Sequence, residues 1–372
     1  MFLLLPILLV FAFLFWRLVR PLKTNLLVKF VLIILILALL SKFSVYSFWG
    51  GSVFSPNLPK NALIFLEGSM GAALILCFAV LLRDVFLLLF WKKKWQFHRN
   101  SKWAFGLFFL SFLIGQWGSI QAASVPEVKN VTVFLEKLPK ELDGLKIVQL
   151  TDTHILRLLD KDWLNQVVEK TNAQHADLIF LTGDYADALP ETLKESIEGF
   201  GKLKARYGVF GVSGNHEYYS DAAAWFDFLK KQNITMLDNA HIVLSIRKKE
   251  LVIAGMPDPT QGRLGGNAPN IEQTLKQAPL HAPIILLNHQ PKGAQRHAQN
   301  GVDLQLSGHT HGGVMFFLKP LVAAFNEGFV HGLYSVGNMQ LYVSGGTGLW
   351  GGFSCRILVP SEITLLTLRK KV

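Results

Sequence analysis

Long, nearly unbroken apolar runs fill the first third of the chain, and short ones separated by polar turns fill the rest. Apolar residues dominate 2–19, 26–49, 62–91 and 103–123. A helix needs about 20 mostly apolar residues to cross the hydrocarbon core of a bilayer, so residues 1–123 are expected to form a bundle of about four transmembrane helices. The second run is the weakest. Lys29 and Lys42 bracket only residues 30–41, and a full crossing requires one lysine to snorkel to the interface. Arg83 and Asp84, near the end of the third run, read as a neutralised interfacial pair. From residue 124 the pattern changes. Residues 124–143 read as a linker and a first strand (131–135). Short β-branched or leucine-rich runs follow at 146–150, 178–181, 209–212, 242–246, 251–254, 284–287, 304–306, 341–344 and 363–368, with helical periodicity at 161–173, 191–206 and 221–232. Strands alternating with helices of that length predict an α/β domain over 144–372.

Composition agrees with this division. Hydrophobic residues make up 51% of the 372 positions and charged residues 17%, below the quarter or so usual in soluble chains. Residues 1–123 carry 12 Lys and Arg against 2 Asp and Glu, whereas the remainder is nearly balanced. The net charge of +11 therefore belongs to the loops between apolar segments, and a nucleic-acid footprint, which needs a basic stripe on the folded domain, is excluded. Cys77 and Cys355 are the two cysteines, too few for a disulfide scaffold. Arg17, Arg20, Lys23 and Lys29 mark the first loop and Lys92, Lys93, Lys94, Arg99 and Lys102 the third, while the loop around 50–61 has only Lys60. The positive-inside bias then places loops one and three in the cytoplasm and the C-terminal domain outside it.

The polar residues that follow the strands carry the chemistry. Run 146–150 leads into Asp152 and His154, 178–181 into Gly183 and Asp184, 209–212 into Gly214, Asn215, His216 and Glu217, 284–287 into His289, and 304–306 into Gly308, His309 and His311. Open α/β sheets hold their ligands at the carboxyl ends of strands. Two carboxylates, four imidazoles and one carboxamide, with no thiolate, form a borderline N/O donor set suited to manganese, iron or zinc. Seven donors exceed one tetrahedral ion and suit two. Paired divalent ions clamp a phosphoryl group and activate water for in-line attack.

The series LTDTH, LTGDYAD, GVSGNHEYY and LSGHTHGG resembles the calcineurin-like metallophosphoesterase superfamily, in particular its bacterial membrane-associated phosphodiesterases. The resemblance covers roughly 143–369. It implies a β-sandwich of two mixed sheets flanked by helices. It also implies that Asp152, His154 and His311 hold one metal ion, that Asn215, His289 and His309 hold a second, and that Asp184 bridges them. His216 becomes the general acid on the leaving oxygen. Ser354 stands where that branch often has proline before a late arginine, and Arg356 and His331 are expected substrate contacts. The implied protein sits in a bacterial inner membrane and hydrolyses a phosphoester.

Large apolar residues in 314–318, 321–325, 329 and 349–353 follow the last ligand positions. They point to a lipid-linked phosphoester or pyrophosphate as substrate. Two other functions fit parts of the pattern. Hydrolysis of UDP-diacylglucosamine pyrophosphate in lipid A synthesis shares the lipid and the fold, but its substrate is cytoplasmic. A membrane sensor or transporter with a phosphoesterase-like binding domain would not need an intact ligand set. No feature points to a protein partner.

Overall fold

The computed structural model of the chain describes residues 4–53, 56–91 and 96–371. The lysines at 92–94 and the start of the first apolar run lie outside the described residues. Two compact units emerge. One comprises Met1–Ala123 with Gly352–Ile357, the other Ser124–Gly351 with Leu358–Val372.

The first unit is helical: α1 (Leu4–Leu14, continued by a π-helical turn, Phe15–Val19), α2 (Leu26–Leu39), α3 (Lys42–Phe48), α4 (Lys60–Leu89) and α5 (Ser101–Ala123). Among the described residues only α4 and α5 are long and apolar enough to cross a membrane alone. The expected four crossings become two, or three if α2 and α3, bent by 58° at their break, form one broken span. Polar groups explain the break. Lys42 opens α3 and is wholly buried, with Nζ 2.7 Å from Glu67 Oε1 on α4. It does not snorkel; its partner lies inside the unit. The Arg83–Asp84 pair includes a third member, because Arg17 donates to Asp84 Oδ2 at 2.7 Å while Arg83 donates to the Arg17 carbonyl at 2.7 Å. Helices α4 and α5 meet through small residues. A Cβ at Gly115 would run into the Gly68 carbonyl and lie 2.6 Å from Ala72 N, the close backbone approach typical of helices packed in lipid.

The second unit is a four-layer α/β sandwich. Its strands are β1 (Glu127–Leu135), β2 (Lys146–Leu150), β3 (Leu178–Thr182), β4 (Val209–Val212), β5 (Ile234–Met236), β6 (Ala240–Ile246), β7 (Lys249–Gly255), β8 (Ile284–Leu287), β9 (Leu304–Ser307), β10 (Gly332–Val336), β11 (Met339–Val343) and β12 (Glu362–Lys370). One sheet runs β1-β12-β2-β3-β4-β5 and the other β10-β11-β9-β8-β7-β6. Each is mixed. In the first, β2 to β5 are parallel and β12 is antiparallel to β2; in the second, β7, β8, β9 and β11 are parallel and flanked by antiparallel β6 and β10. The parallel strands are buried on both faces and read as continuous apolar runs.

Between the sheets, Ile147, Phe180 and Phe210 pack with Ile253, Ile285 and Leu306. The outer face of the first sheet meets α6 (Lys161–Asn172), α7 (Pro190–Ile197) and α9 (Ala222–Lys231), with α8 (Asn215–Tyr219) following β4. Helix α6 starts at Asp160, whose carboxylate accepts Trp163 N at 3.0 Å. It buries Trp163, Leu164, Val167, Val168 and Thr171 at the 3–4 spacing of one face. The helix expected over 191–206 is shorter than its periodicity suggests, because Gly199 and Gly201 fall in a 3₁₀ turn at Glu198–Lys202. Strand β1 is longer than the expected 131–135 because it pairs along its whole length with β12, from Glu127↔Glu362 to Leu135↔Lys370. Buried Gln149 joins the sheets at one end, where its Nε2 donates to Thr182 Oγ1 at 2.9 Å and to the Ser307 carbonyl at 3.1 Å.

Candidate metal centre

Beyond that stitch, the turns after β2, β3, β4, β8 and β9 converge. Five residues on them adopt the left-handed backbone that side chains disfavour: Asp152 (φ 53°), His154 (44°), Asp184 (56°), His309 (69°) and His311 (47°). Strain of about 1–3 kcal/mol per residue persists only where surrounding structure over-determines it, and it clusters at functional sites. Two glycines make the approach possible. A Cβ at Gly214 would strike Asp184 Oδ1, and one at Gly308 would strike Asp152 Oδ2. Each therefore leaves room for a carboxylate from a neighbouring strand.

Three overlapping groups of donor atoms result, each within 4.8 Å: Asp152, His154 and His311; His154, Asp184 and His216; and Asp184, His289 and His309. Asp184 Oδ2 lies 3.2 Å from His289 Nε2 and 3.6 Å from His154 Nε2. His311 Nε2 lies 3.5 Å from Asp152 Oδ1, and His309 Nδ1 lies 3.0 Å from Asn215 Oδ1. All seven residues read as metal ligands are thus at one place. The donor set fits divalent cations on a further observation. His154 Nε2 and His289 Nε2 are buried and, apart from their approach to Asp184 Oδ2, neither makes a hydrogen bond among the described residues. Such atoms are rare without a ligand.

The opposite ring nitrogens show why these atoms face inward. His289 Nδ1 is 2.7 Å from the Thr182 carbonyl, and His154 Nδ1 is 2.7 Å from Asp187 Oδ1. An Nδ1–H donated outward presents Nε2 to a cation. Asp187 Oδ1 is also 2.7 Å from His216 Nδ1, so one carboxylate orients a candidate ligand and the candidate acid. Asp187 was not singled out from the sequence, although it stands in the quoted LTGDYAD. The signal was a second carboxylate three residues after Asp184. Glu217 was also missed. Its buried carboxylate accepts Gly214 N, Asp184 N and Tyr185 N at 2.7, 3.0 and 2.8 Å, closing the β3 and β4 turns on each other. Replacing Asp187 by Asn is expected to lower kcat about 10–100-fold and to weaken metal retention, measured by steady-state kinetics and metal content.

Electrostatics inside the site are strong. Burial would raise the Asp184 carboxyl, but His289 and His216 outweigh it and hold it well below the usual carboxylate range. Burial would lower the His289 ring, but Asp184 and Asp152 keep it well above the usual histidine range. His309 is pushed down to about 4, by burial and then by His289, and is a neutral donor. For His216, burial opposes charge, yet Asp184 and Asp187 hold the ring up at about 9. Its side chain is 18% exposed, so the ring reaches solvent.

Of the two expected substrate contacts, His331 lies beside the turn that carries His311: a Cβ at Gly312 would be 3.6 Å from its Cγ. Arg356 is 1% exposed within the helical unit. His331 Nε2 sits 2.9 Å from Lys129 Nζ and 3.0 Å from Glu362 Oε2. Burial would raise Glu362, but His331 and Lys129 hold it well below the usual carboxylate range. Because the folded value is the lower one, this stability is present above the unfolded carboxylate pKa of about 4.3 and fades as pH falls through the folded value. Glu362→Gln is expected to cost about 1–3 kcal/mol at pH 7, allowing for the exposure of Lys129. The melting-temperature gap from the parent should close in acid.

Comparison with known proteins agrees with the site. Residues 145–313 match the calcineurin-like phosphoesterase family. The chain is 37% identical over 267 residues to an uncharacterized metallophosphoesterase of Helicobacter pylori, spanning 71% of this chain and 70% of that one. It is 31% identical over 265 residues to an uncharacterized metallophosphoesterase of Aquifex aeolicus, spanning 71% of this chain and 99% of that one. It is also 34% identical over 270 residues to a Danio rerio transmembrane protein with metallophosphoesterase domain, spanning 70% and 61%. The chain belongs to the calcineurin-like phosphoesterase family and is a metal-dependent phosphoester hydrolase.

Proposed function

We propose that the chain is a membrane-anchored, dinuclear-metal phosphodiesterase or pyrophosphatase. The observation that carries this reading is the position of Asp184 Oδ2 between the inward nitrogens of His154 and His289, at 3.6 and 3.2 Å. Asp152, His154 and His311 would hold one divalent ion, and Asn215, His289 and His309 the other. Such a pair supplies charge neutralisation of the phosphoryl group and activation of water. The protein's own residues do the rest. Asp184 fixes the spacing of the two donor sets, Asp187 orients His154 and His216, and His216 gives its proton to the leaving oxygen.

A lipid-linked substrate in a bacterial envelope extends the proposal. Its support is a run of apolar side chains shortly after His311: Phe316 is 42% exposed, Leu321 58% and Phe325 70%. Met315 and Leu349 from the same stretches are buried and belong to the core. Helices α4 and α5 support anchoring, and the loop charges support an extracytoplasmic catalytic domain. Elemental analysis of the purified chain is expected to find two metal equivalents, removed by chelator together with phosphodiester turnover and restored by manganese, iron or zinc. Turnover untouched by metal removal would overturn the reading. In mixed micelles, lipid-linked phosphodiesters are expected to outrun water-soluble aryl ones in kcat/KM, and equal rates would remove the lipid.

A further inference from the structure

The charge cluster around Glu362 lies beside the metal-site turns. Glu362 opens β12 and is 2% exposed. Its Oε1 accepts Thr364 Oγ1 at 3.1 Å and the hydroxyl of Tyr342 on β11, which ties β12 to the other sheet. Its Oε2 accepts Lys129 Nζ at 2.8 Å and lies 3.0 Å from His331 Nε2. The imidazole held in this way packs against two turns. A Cβ at Gly312, next to His311, would lie 3.6 Å from the ring Cγ, and one at Gly345 would lie 3.3 Å from Nε2. The turns also meet each other, since the Gly312 Cβ would be 3.4 Å from Gly345 Cα. Beyond Gly345 the chain supports a second donor turn. The Gly346 carbonyl accepts Glu362 N at 3.0 Å, Thr347 N donates to the Thr151 carbonyl at 2.8 Å, and Gly348 N donates to the Asp152 carbonyl at 3.0 Å. Ahead of His311, Thr310 Oγ1 donates to the Val330 carbonyl at 2.7 Å, and His331 N donates to the Tyr334 hydroxyl oxygen at 3.2 Å.

All of these residues belong to the catalytic unit. The two turns that meet at His331 are those of Asp152 and His311, which would hold the same ion. The other donors are fixed by different bonds: the Thr182 carbonyl orients His289, and Glu217 closes the turn that carries Asn215. A carboxylate taken out of water is costly, and apolar side chains join sheets without that cost. What the buried charge adds is direction, because an imidazole hydrogen-bonded to a fixed carboxylate keeps one ring orientation. We propose that His331 and Glu362 are positioning residues for one metal ion of the pair. They brace the His311 turn against the loop that supports Asp152, and so set the affinity of the site formed by Asp152, His154 and His311. The proposal rests on the two-ion reading given above.

The test titrates the chelator-stripped full chain, in detergent micelles, with cobalt(II), reading d–d absorption and, in parallel, the melting temperature. The parent is expected to bind two equivalents. His311→Ala and Asn215→Ala supply the spectra of a chain short of one or the other. His331→Ala and Glu362→Gln are expected to weaken the equivalent missing in His311→Ala by about 10–100-fold and to leave the other within about threefold. Thr310→Val cuts the tie to the Val330 carbonyl without opening a cavity and should act on the same equivalent. If His331→Ala does not fold, His331→Gln and Thr310→Val decide the matter. Leu251→Ala, in the core between the sheets, is the control: it should lower the melting temperature and spare both affinities. At saturating metal, the KM of the His331 variants for a phosphodiester should stay within about threefold of the parent, which loss of a substrate contact would not allow. Losses shared equally by the two equivalents, the same selective loss in Leu251→Ala, unchanged affinities in every variant, or a raised KM at saturating metal would each overturn the proposal. A parent that binds fewer than two equivalents overturns the two-ion reading itself, and this proposal with it.

Discussion

Asp184→Asn is expected to lower metal-dependent turnover by about a thousandfold or more while the chain still inserts in membranes and folds. The side chain is 2% exposed, and asparagine nearly matches its shape, so the loss is electrostatic. Asp184 Oδ1 accepts His216 N at 3.0 Å, and Oδ2 faces His154 and His289. An amide offers one neutral oxygen where the carboxylate offers two charged ones, and the two cations of the proposed centre would need that charge to offset their repulsion. Metal content is expected to fall from two equivalents to one or fewer. Two equivalents with turnover within about tenfold of the parent would show that the bridge is elsewhere.

His216→Gln is expected to lose about 10²–10⁴-fold in kcat with both metal equivalents retained. The loss should be largest for alkyl leaving groups and smallest for nitrophenyl ones, which depart without a proton. The pH profile gives a second reading. Asp184 and Asp187 hold the His216 ring above the ordinary histidine range, so its acid form predominates at neutral pH and is lost as pH rises. The parent should show falling activity on the alkaline side, drawn toward neutrality by bound cations, and the variant should lack that limb. An unchanged limb would assign the proton to another group.

The catalytic half was readable because strand and ligand signals are local. A buried parallel strand must be an apolar run, and open α/β sheets place their ligands at its carboxyl end, so the cluster of Asp152, His154, Asp184, Asn215, His289, His309 and His311 could be named as candidates from order alone. Asp187 and Glu217 escaped because their role lies in hydrogen bonds to residues on other turns. His154 is 33 positions from Asp187, and Tyr185 is 32 from Glu217. The helical half was less readable for the same reason. Lys42 argues for an interface when read beside its neighbours, and only Glu67, on another helix, makes it a buried residue. Arg356 was read with the catalytic domain, because nothing nearby in sequence shows that its segment clusters with the helical unit.

Strand β12 lies between β1 and β2, parallel to one and antiparallel to the other. The sheet that carries Asp152 and Asp184 therefore cannot close until the elements from β2 to β11 have left the ribosome. Contacts so distant in the chain form late, after the entropy of a long loop has been lost. Membrane insertion of α4 and α5 can precede that moment, and the catalytic half must then be kept from aggregating while its edges wait for their partner. Synthesis of this chain thus depends on protection of an open sheet, a demand that a domain closed by neighbouring hairpins would never make.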